Sequence, residues 1–570
     1  MIRPKLPLRQ FFLLILLFPS SALLAQDLSN VGKQKPFAIS GSIGGSATYY
    51  SSNQIYQTQP PFTWNLYGNL TPSFYGLALP ISFVINQYGN SYTSPFAQFG
   101  ISPTYKWARL LLGYRSISMS PFTFDGQTFE GVGIELTPGK LRFAAFYGSL
   151  NKAINEDTTT AHLAMPQYGR IGYGVKLGVG TASNHLDFLY FHAKDDSSSV
   201  KLINDTLTLR PQENTVIGSS FKFTFLKHII WTGDVAVSAL TQDQASTPLN
   251  TDSLNFIVKT FAKAMDYRYS TVLGYAGQST LTFFIKNFNT TFGYRTVSSG
   301  FQSLGTPYMI NDLVALQWNG NLMLDKGKVN LTATVNTQHD DLGGDQESRT
   351  NNVSGVFNMN ALLSSHVNLN VNFSDVSLDQ SNGTAVIGDS VLLNENIYTL
   401  SVMPTFIFRG TGNIQTFSPS VNLSMVNDHN PATAPTSDSK TFSGSLNYVC
   451  AFLRTNWSLN SSLLYNQYVL GASDTYTSYG VNVGAALQLL KSKGLGLQGN
   501  IGYLINESSE GSVGNNLTGS VNVHYTWKKR HSISMYFNSV VTPPTSSQLK
   551  NTVGVTTNNT GGGISYNYSF

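Results

Sequence analysis

The chain of 570 residues is poor in charge: Asp, Glu, Lys and Arg make up 11% of it, against about 25% in ordinary soluble domains, and aromatic residues make up 12%. A formal net charge of +5 gives no basic bias strong enough to point to nucleic acid, and a single cysteine, Cys450, excludes an internal disulfide. Abundant aromatic and β-branched residues exclude a disordered chain.

At the N-terminus, Arg3, Lys5 and Arg9 precede the apolar run Phe11–Phe18, and small residues follow at Ser20, Ser21 and Ala22. Positive, apolar, then small is the order of a secretory signal peptide, expected here over residues 1–25 with cleavage after Ala25. The apolar run is too short for the ~20 residues of a membrane helix, and no later stretch reaches that length. The leader holds three of the 35 basic residues, which leaves 32 against 30 acidic ones in the exported chain. Residues 26–36 are expected to form a short periplasmic segment, too short for a plug domain, and residues 37–570 a single barrel beginning near Phe37.

The link Ile117–Glu130 contains Pro121, Phe122, Phe124 and Phe129, with carboxylates at Asp125 and Glu130 and Arg115 just before it. In chain position it is similar to the loop that folds into the lumen of general porins. That likeness implies a constriction in which Arg115 faces Asp125 and Glu130 and sets size and charge selectivity. The link Thr241–Arg268 predicts a helix. Asp252 can cap it, and Leu254, Ile257, Val258, Phe261 and Met265 recur at helical spacing as one apolar stripe. The expectation is a helix folded into the lumen as a partial plug; a position over the mouth or against a partner fits the same stripe.

Period-2 alternation carries the rest. Phe288, Phe292 and Tyr294 lie opposite Asn289, Thr291 and Arg295. Val329, Leu331, Ala333 and Val335 alternate with Asn330, Thr332, Thr334 and Asn336. Val367, Leu369, Val371 and Phe373 alternate with Asn368, Asn370, Asn372 and Ser374, and the run Leu517–Trp527 repeats the pattern. Successive side chains of a strand point to opposite faces, so each strand has an apolar face and a face of small polar groups. Lys222, Arg295 and Asp375 read as scattered charges on the inward face. Segments of about ten such residues are the signature of a transmembrane barrel. The links support it, because short ones, such as Leu226–His228, Asp325–Lys328 and Lys528–Arg530, alternate with long ones, such as His339–Thr350 and Ser377–Asn394. A β-sandwich has no reason for that alternation. Trp107, Trp231, Trp457 and Trp527 sit close to short links and predict an aromatic girdle at the periplasmic interface.

The chain ends on Ile564, Tyr566, Tyr568 and Phe570, interleaved with Ser565, Asn567 and Ser569. This run resembles the C-terminal assembly signal of Gram-negative outer-membrane β-barrel proteins. The resemblance implies a place in the outer membrane, both termini in the periplasm, an even strand number, and outer-membrane lipid and the barrel-assembly machinery as partners. The fold expected is all-β: one antiparallel transmembrane barrel of about 26 strands, within a range of roughly 22–28, with short periplasmic turns and long extracellular loops.

No His-Glu-x-x-His spacing, phosphate loop, nucleotide fingerprint or basic–aromatic groove occurs, so no catalytic residue, cofactor, metal or nucleic acid is expected. The function expected is a passive or partner-gated passage for solutes or polymers. The alternative is an accessory barrel of a secretion or uptake complex, sealed by its own loops or by a lipoprotein partner; an outer-membrane enzyme is a distant third.

Overall fold

A computed structural model describes residues 36–53, 60–74, 77–86, 100–155, 166–200, 209–251, 253–384, 388, 392–471, 474–490, 494–509, 511–543 and 556–570. The expected signal peptide over residues 1–25 lies outside the described residues, as does Asp252. The chain forms a closed antiparallel barrel of 26 strands. Two of these are each built from two pieces: Leu77–Ala78 with Ile81–Asn86, and Gly100–Ile101 with Thr104–Tyr105. The breaks fall at Pro80 and Pro103, where no backbone N–H is present to continue the ladder.

Each strand pairs with its sequence neighbours, and the last closes on the first. The register runs from Ser42 opposite Ser569 to Ser52 opposite Asn559. Phe570 adds one more bond beyond the strand Thr557–Ser569, its N–H donating to Gly41 O at 2.9 Å. Phe37 is registered against Phe74, so both ends of the described chain lie at the short-turn end of the barrel.

The short turns are tight for a backbone reason. Leu226 and Lys227 have φ of 50° and 61°, and Lys528 and Lys529 have 50° and 59°. Two successive left-handed residues make the type I′ turn whose twist matches the flanking strands. No Asn-Gly or Asp-Gly pair announces either turn; the ladder on each side holds residues that would not choose this conformation alone.

The two faces of the wall separate by chemistry. Leu177, Phe188, Val235, Tyr275 and Phe373 are exposed on one face. Asn358, Asn372 and Ser401 stand in register on the other. On that polar face two long links are buried, with Phe122, Phe124 and Phe301 wholly enclosed. It is therefore the concave, lumenal face, and the apolar face is the outer one. Ile564, Tyr566 and Phe570 are exposed, the first two on the outer face. Cys450 is buried on the outer face beside Tyr448. Trp231, Trp457 and Trp527 also belong to this face and stand with Trp107 at the short-turn end. No helix among the described residues is long and apolar enough to cross a membrane.

Candidate functional site in the barrel lumen

An insert of two chain segments occupies part of the lumen. The first runs from Ile117 to Gln127 and the second from Ser298 to Asp312, each a long link that turns inward instead of away from the barrel. Ser303 Oγ donates to Thr123 O at 2.8 Å, and the Asp125 N–H donates to Gly305 O at 3.1 Å. Gly305 is required by this contact, because a Cβ there would stand 2.2 Å from Thr123 O. Phe122 meets Phe301 edge to face at 6.0 Å, and Phe124 packs at 4.3 Å on Phe146 and 5.6 Å on Phe191 of the wall.

The wall grips the insert with buried polar groups as well. Asn214 Nδ2 donates to Ser238 Oγ at 2.8 Å, and Asn214 Oδ1 accepts from the Leu304 N–H at 3.0 Å. Ser238 Oγ in turn donates to Gln302 O. Asn214 and Ser238 are both fully buried, so each bond replaces water that the site excludes. The insert covers nine consecutive strands, from the one carrying Leu111 to the one carrying Val297.

The expected constriction is corrected in its charges. Arg115 does point into the lumen, but its guanidinium donates to Ser82 Oγ at 2.6 Å and Pro80 O at 3.3 Å rather than to a carboxylate. Glu130 stands on the outer face, in register with Tyr114, and its carboxylate lies 3.3 Å from Lys152 Nζ. Hydrogen bonds that the Lys152 ammonium donates to Tyr114 and Glu130 outweigh its burial and hold its proton more tightly than on a free lysine. Asp125 contributes through its backbone, and among the described residues no ion pair joins it to Arg115. Asp375 is corrected too: it shares the outer face with Phe373, opposite Gly355.

Several lumenal charges on the wall near the insert pair with each other. Arg142 makes a two-pronged contact with Asp187 at 2.7 and 2.9 Å, and Arg170 does the same with Asp195 at 2.6 and 3.1 Å. Both carboxylates are almost wholly buried. Such forks fix two oxygens and two nitrogens at once and present little free charge; Arg170–Asp195 joins adjacent strands, and Arg142–Asp187 reaches across the intervening strand at Gly178. Arg295 lies over the Phe122 ring at 5.4 Å and cushions the insert.

The expected lumenal helix is corrected in place and length. It spans Phe256–Ala262, and Asn255 caps it by accepting from the Val258 N–H at 3.0 Å. Phe261 and Met265 pack against Ala239, with Val237 and Leu273 around them. Ala239 alternates with Ser238 and Leu240, whose side chains meet the insert, so the helix lies on the outer face. The physical reason is occupancy: the lumenal side of these strands already holds residues 298–304, while the outer side offers a small apolar footing. Leu254 and Ile257 stay exposed.

Sequence reasoning missed the second half of the insert, Ser298–Asp312. Its signal was an apolar pair, Phe301 and Leu304, set among Gly300 and Gly305 in a long link. Among the described residues no group of three or more His, Cys, Asp and Glu side chains is placed to hold a metal ion.

No family model and no curated protein matches this chain. Solved structures similar to it include the translocation pore of the P pilus usher PapC, at a TM-score of 0.36 and 8% identity over 93% of this chain and 99% of that one. The copper transporter OprC is similar at a TM-score of 0.39 and 9% identity over 94% and 81%. Pseudomonas aeruginosa OpdK, solved with vanillate, is similar at 0.30 and 10% identity over 63% and 93%. Overlaps this loose transfer neither a register nor an activity.

Proposed function

We propose that the chain forms a passive passage for solutes or polymers across a Gram-negative outer membrane. The observation that carries this reading is the mismatch between lumen and insert: 26 strands enclose the lumen, and the insert covers nine of them. Barrels of 16–18 strands already hold an aqueous channel, so a wider one with a polar inner wall stays hydrated beside a one-sided insert. The exposed apolar outer face, the tryptophans at the short-turn end and the terminal Phe570 support a lipid setting with that end in the periplasm. No chemical step belongs to this reading: Arg109, Arg142 and Arg170 hold Glu135, Asp187 and Asp195 on the lumenal wall.

A second reading is favoured by the short turns. Lys106, Lys140, Lys227, Lys286, Lys326 and Lys528 all stand at that end, and Asp325 is the acidic residue among these turns. A basic rim of this kind suits an acidic partner that seals or gates the passage from the periplasm. Purified protein in planar lipid bilayers tests the first reading. Steady, voltage-independent openings are expected. A silent membrane with the protein shown to be inserted overturns it and leaves the partner-gated barrel.

A further inference from the structure

The lumen has two chemically different walls. Strands between Ala108 and Val297 carry the insert and lumenal charges such as Arg109, Glu135, Arg142, Asp187, Lys222 and Asp234. From strand Leu313–Leu324 around to strand Phe62–Phe74 the lumenal face is built mainly of amides, hydroxyls and glycines, with single apolar residues such as Val356, Ile397, Met403 and Leu464 set among them. Among the described residues there, charge appears only at the ends of strands: Glu395, Asp428 and Asp474 at the long-link rim and Arg409 at a short turn. The charges of this part of the chain otherwise lie outside, as with Asp375, Lys440 and Glu507.

The uncharged wall is shaped. A hollow of about 420 Å³ is lined by six asparagines, among them Asn358, Asn370 and Asn372, by the hydroxyls of Thr332, Ser401 and Ser420, and by the apolar Met359, Val371 and Met403. The amides are only partly used within the wall. Asn372 donates to Asn358, and Asn321 donates to Asn330 at 3.0 Å. Each amide offers two donors and two acceptor sites, so most of this capacity faces the lumen. Farther round the same wall, Tyr468 and Tyr476 pair at 6.3 Å on the lumenal face, both still exposed, and Tyr536 is exposed as well. Planar amides beside open tyrosine faces suit a ligand with vicinal hydroxyls on one edge and C–H groups on the other. A polyanion needs cations that this wall lacks, and an apolar solute would leave its amides unpaired.

We infer that the uncharged wall is a binding track for an uncharged carbohydrate. The inference rests on the passage reading and names its substrate class. Its test uses the full-length protein in planar bilayers with three probes of matched size: a linear neutral maltooligosaccharide, an oligouronate, and polyethylene glycol. The neutral sugar is expected to interrupt the current in discrete, concentration-dependent events, while polyethylene glycol lowers it by exclusion alone. Tyr468→Ala with Tyr476→Ala, and separately Asn358→Asp with Asn372→Asp, are expected to shorten the events about tenfold, equivalent to about 1.4 kcal/mol; Tyr→Phe at both positions keeps them. Heat-modifiable migration on unboiled gels confirms that each variant is folded. Neutral sugar that behaves as polyethylene glycol does, or an oligouronate that blocks better, overturns the inference. If the membrane stays silent, the passage reading fails by itself. Calorimetry of the detergent-solubilised barrel with the same sugar then decides the carbohydrate, and the absence of heat from the neutral sugar sinks it.

Discussion

Asp187 shows how a nearly uncharged lumen tolerates charge. Its side chain is 4% exposed and Arg142 holds both oxygens, while Gly178 leaves the space, since a Cβ there would meet Asp187 Oδ1. Arg142→Ala strands the carboxylate and is expected to cost about 3 kcal/mol, the low end for a buried pair because Arg142 keeps contact with water. Arg142→Leu with Asp187→Leu should recover most of the loss. The temperature at which the folded band disappears from gels measures both, and an equal loss in single and double variants would falsify the pairing argument. Sequence placed Arg115 in the lumen and misplaced Glu130 and Asp375. Midway along the strand Val367–Asn382 the outer face passes from apolar to polar groups, from Phe373 to Asp375, so hydropathy stops reporting which face a residue occupies.

At the level of elements, the two long links with apolar stripes took opposite sides of one stretch of wall. The insert is cemented by aromatic contacts and by buried bonds through Asn214 and Ser238, so it acts as a fixed narrowing rather than a gate. Phe122→Ala with Phe301→Ala removes two fully buried rings and should loosen it by about 3–5 kcal/mol per ring at most. The expected outcome is larger and noisier conductance. Phe261→Ala with Met265→Ala frees the outer helix, raising protease cleavage near residues 253–266 while conductance stays as it was. A change in conductance from the helix variant would place that helix in the lumen after all. Periodicity made the helix legible, with Phe261 and Met265 on its buried side. It was silent on which side of the wall the stripe would find, because that depends on what the insert had already filled.

For the whole molecule, closure is the central physical fact. A sheet this long ends in two unpaired edges, and only the pairing of Ser42–Ser52 with Asn559–Ser569 removes them. Phe570 extends that seam through its bond to Gly41. Deletion of Phe570 is therefore expected to lower the amount of assembled barrel severalfold, while the barrels that do form conduct normally. Immunoblots of membrane fractions beside single-channel records check this, and undiminished membrane levels would count against it. The sequence by itself determined the strand alternation, a count near 26 and the short and long links, because each follows from local periodicity and chain length; the even number and the tail that seals the sheet were implied by the resemblance of the terminal run to outer-membrane assembly signals. Only the tertiary structure decided which links enter the lumen, which charges face it, and that one wall is charged and braced while the other is neutral and open. Those features arise between residues far apart in the chain, such as Thr123 and Ser303 or Arg142 and Asp187, and no local pattern records which of two faces a distant segment will claim first.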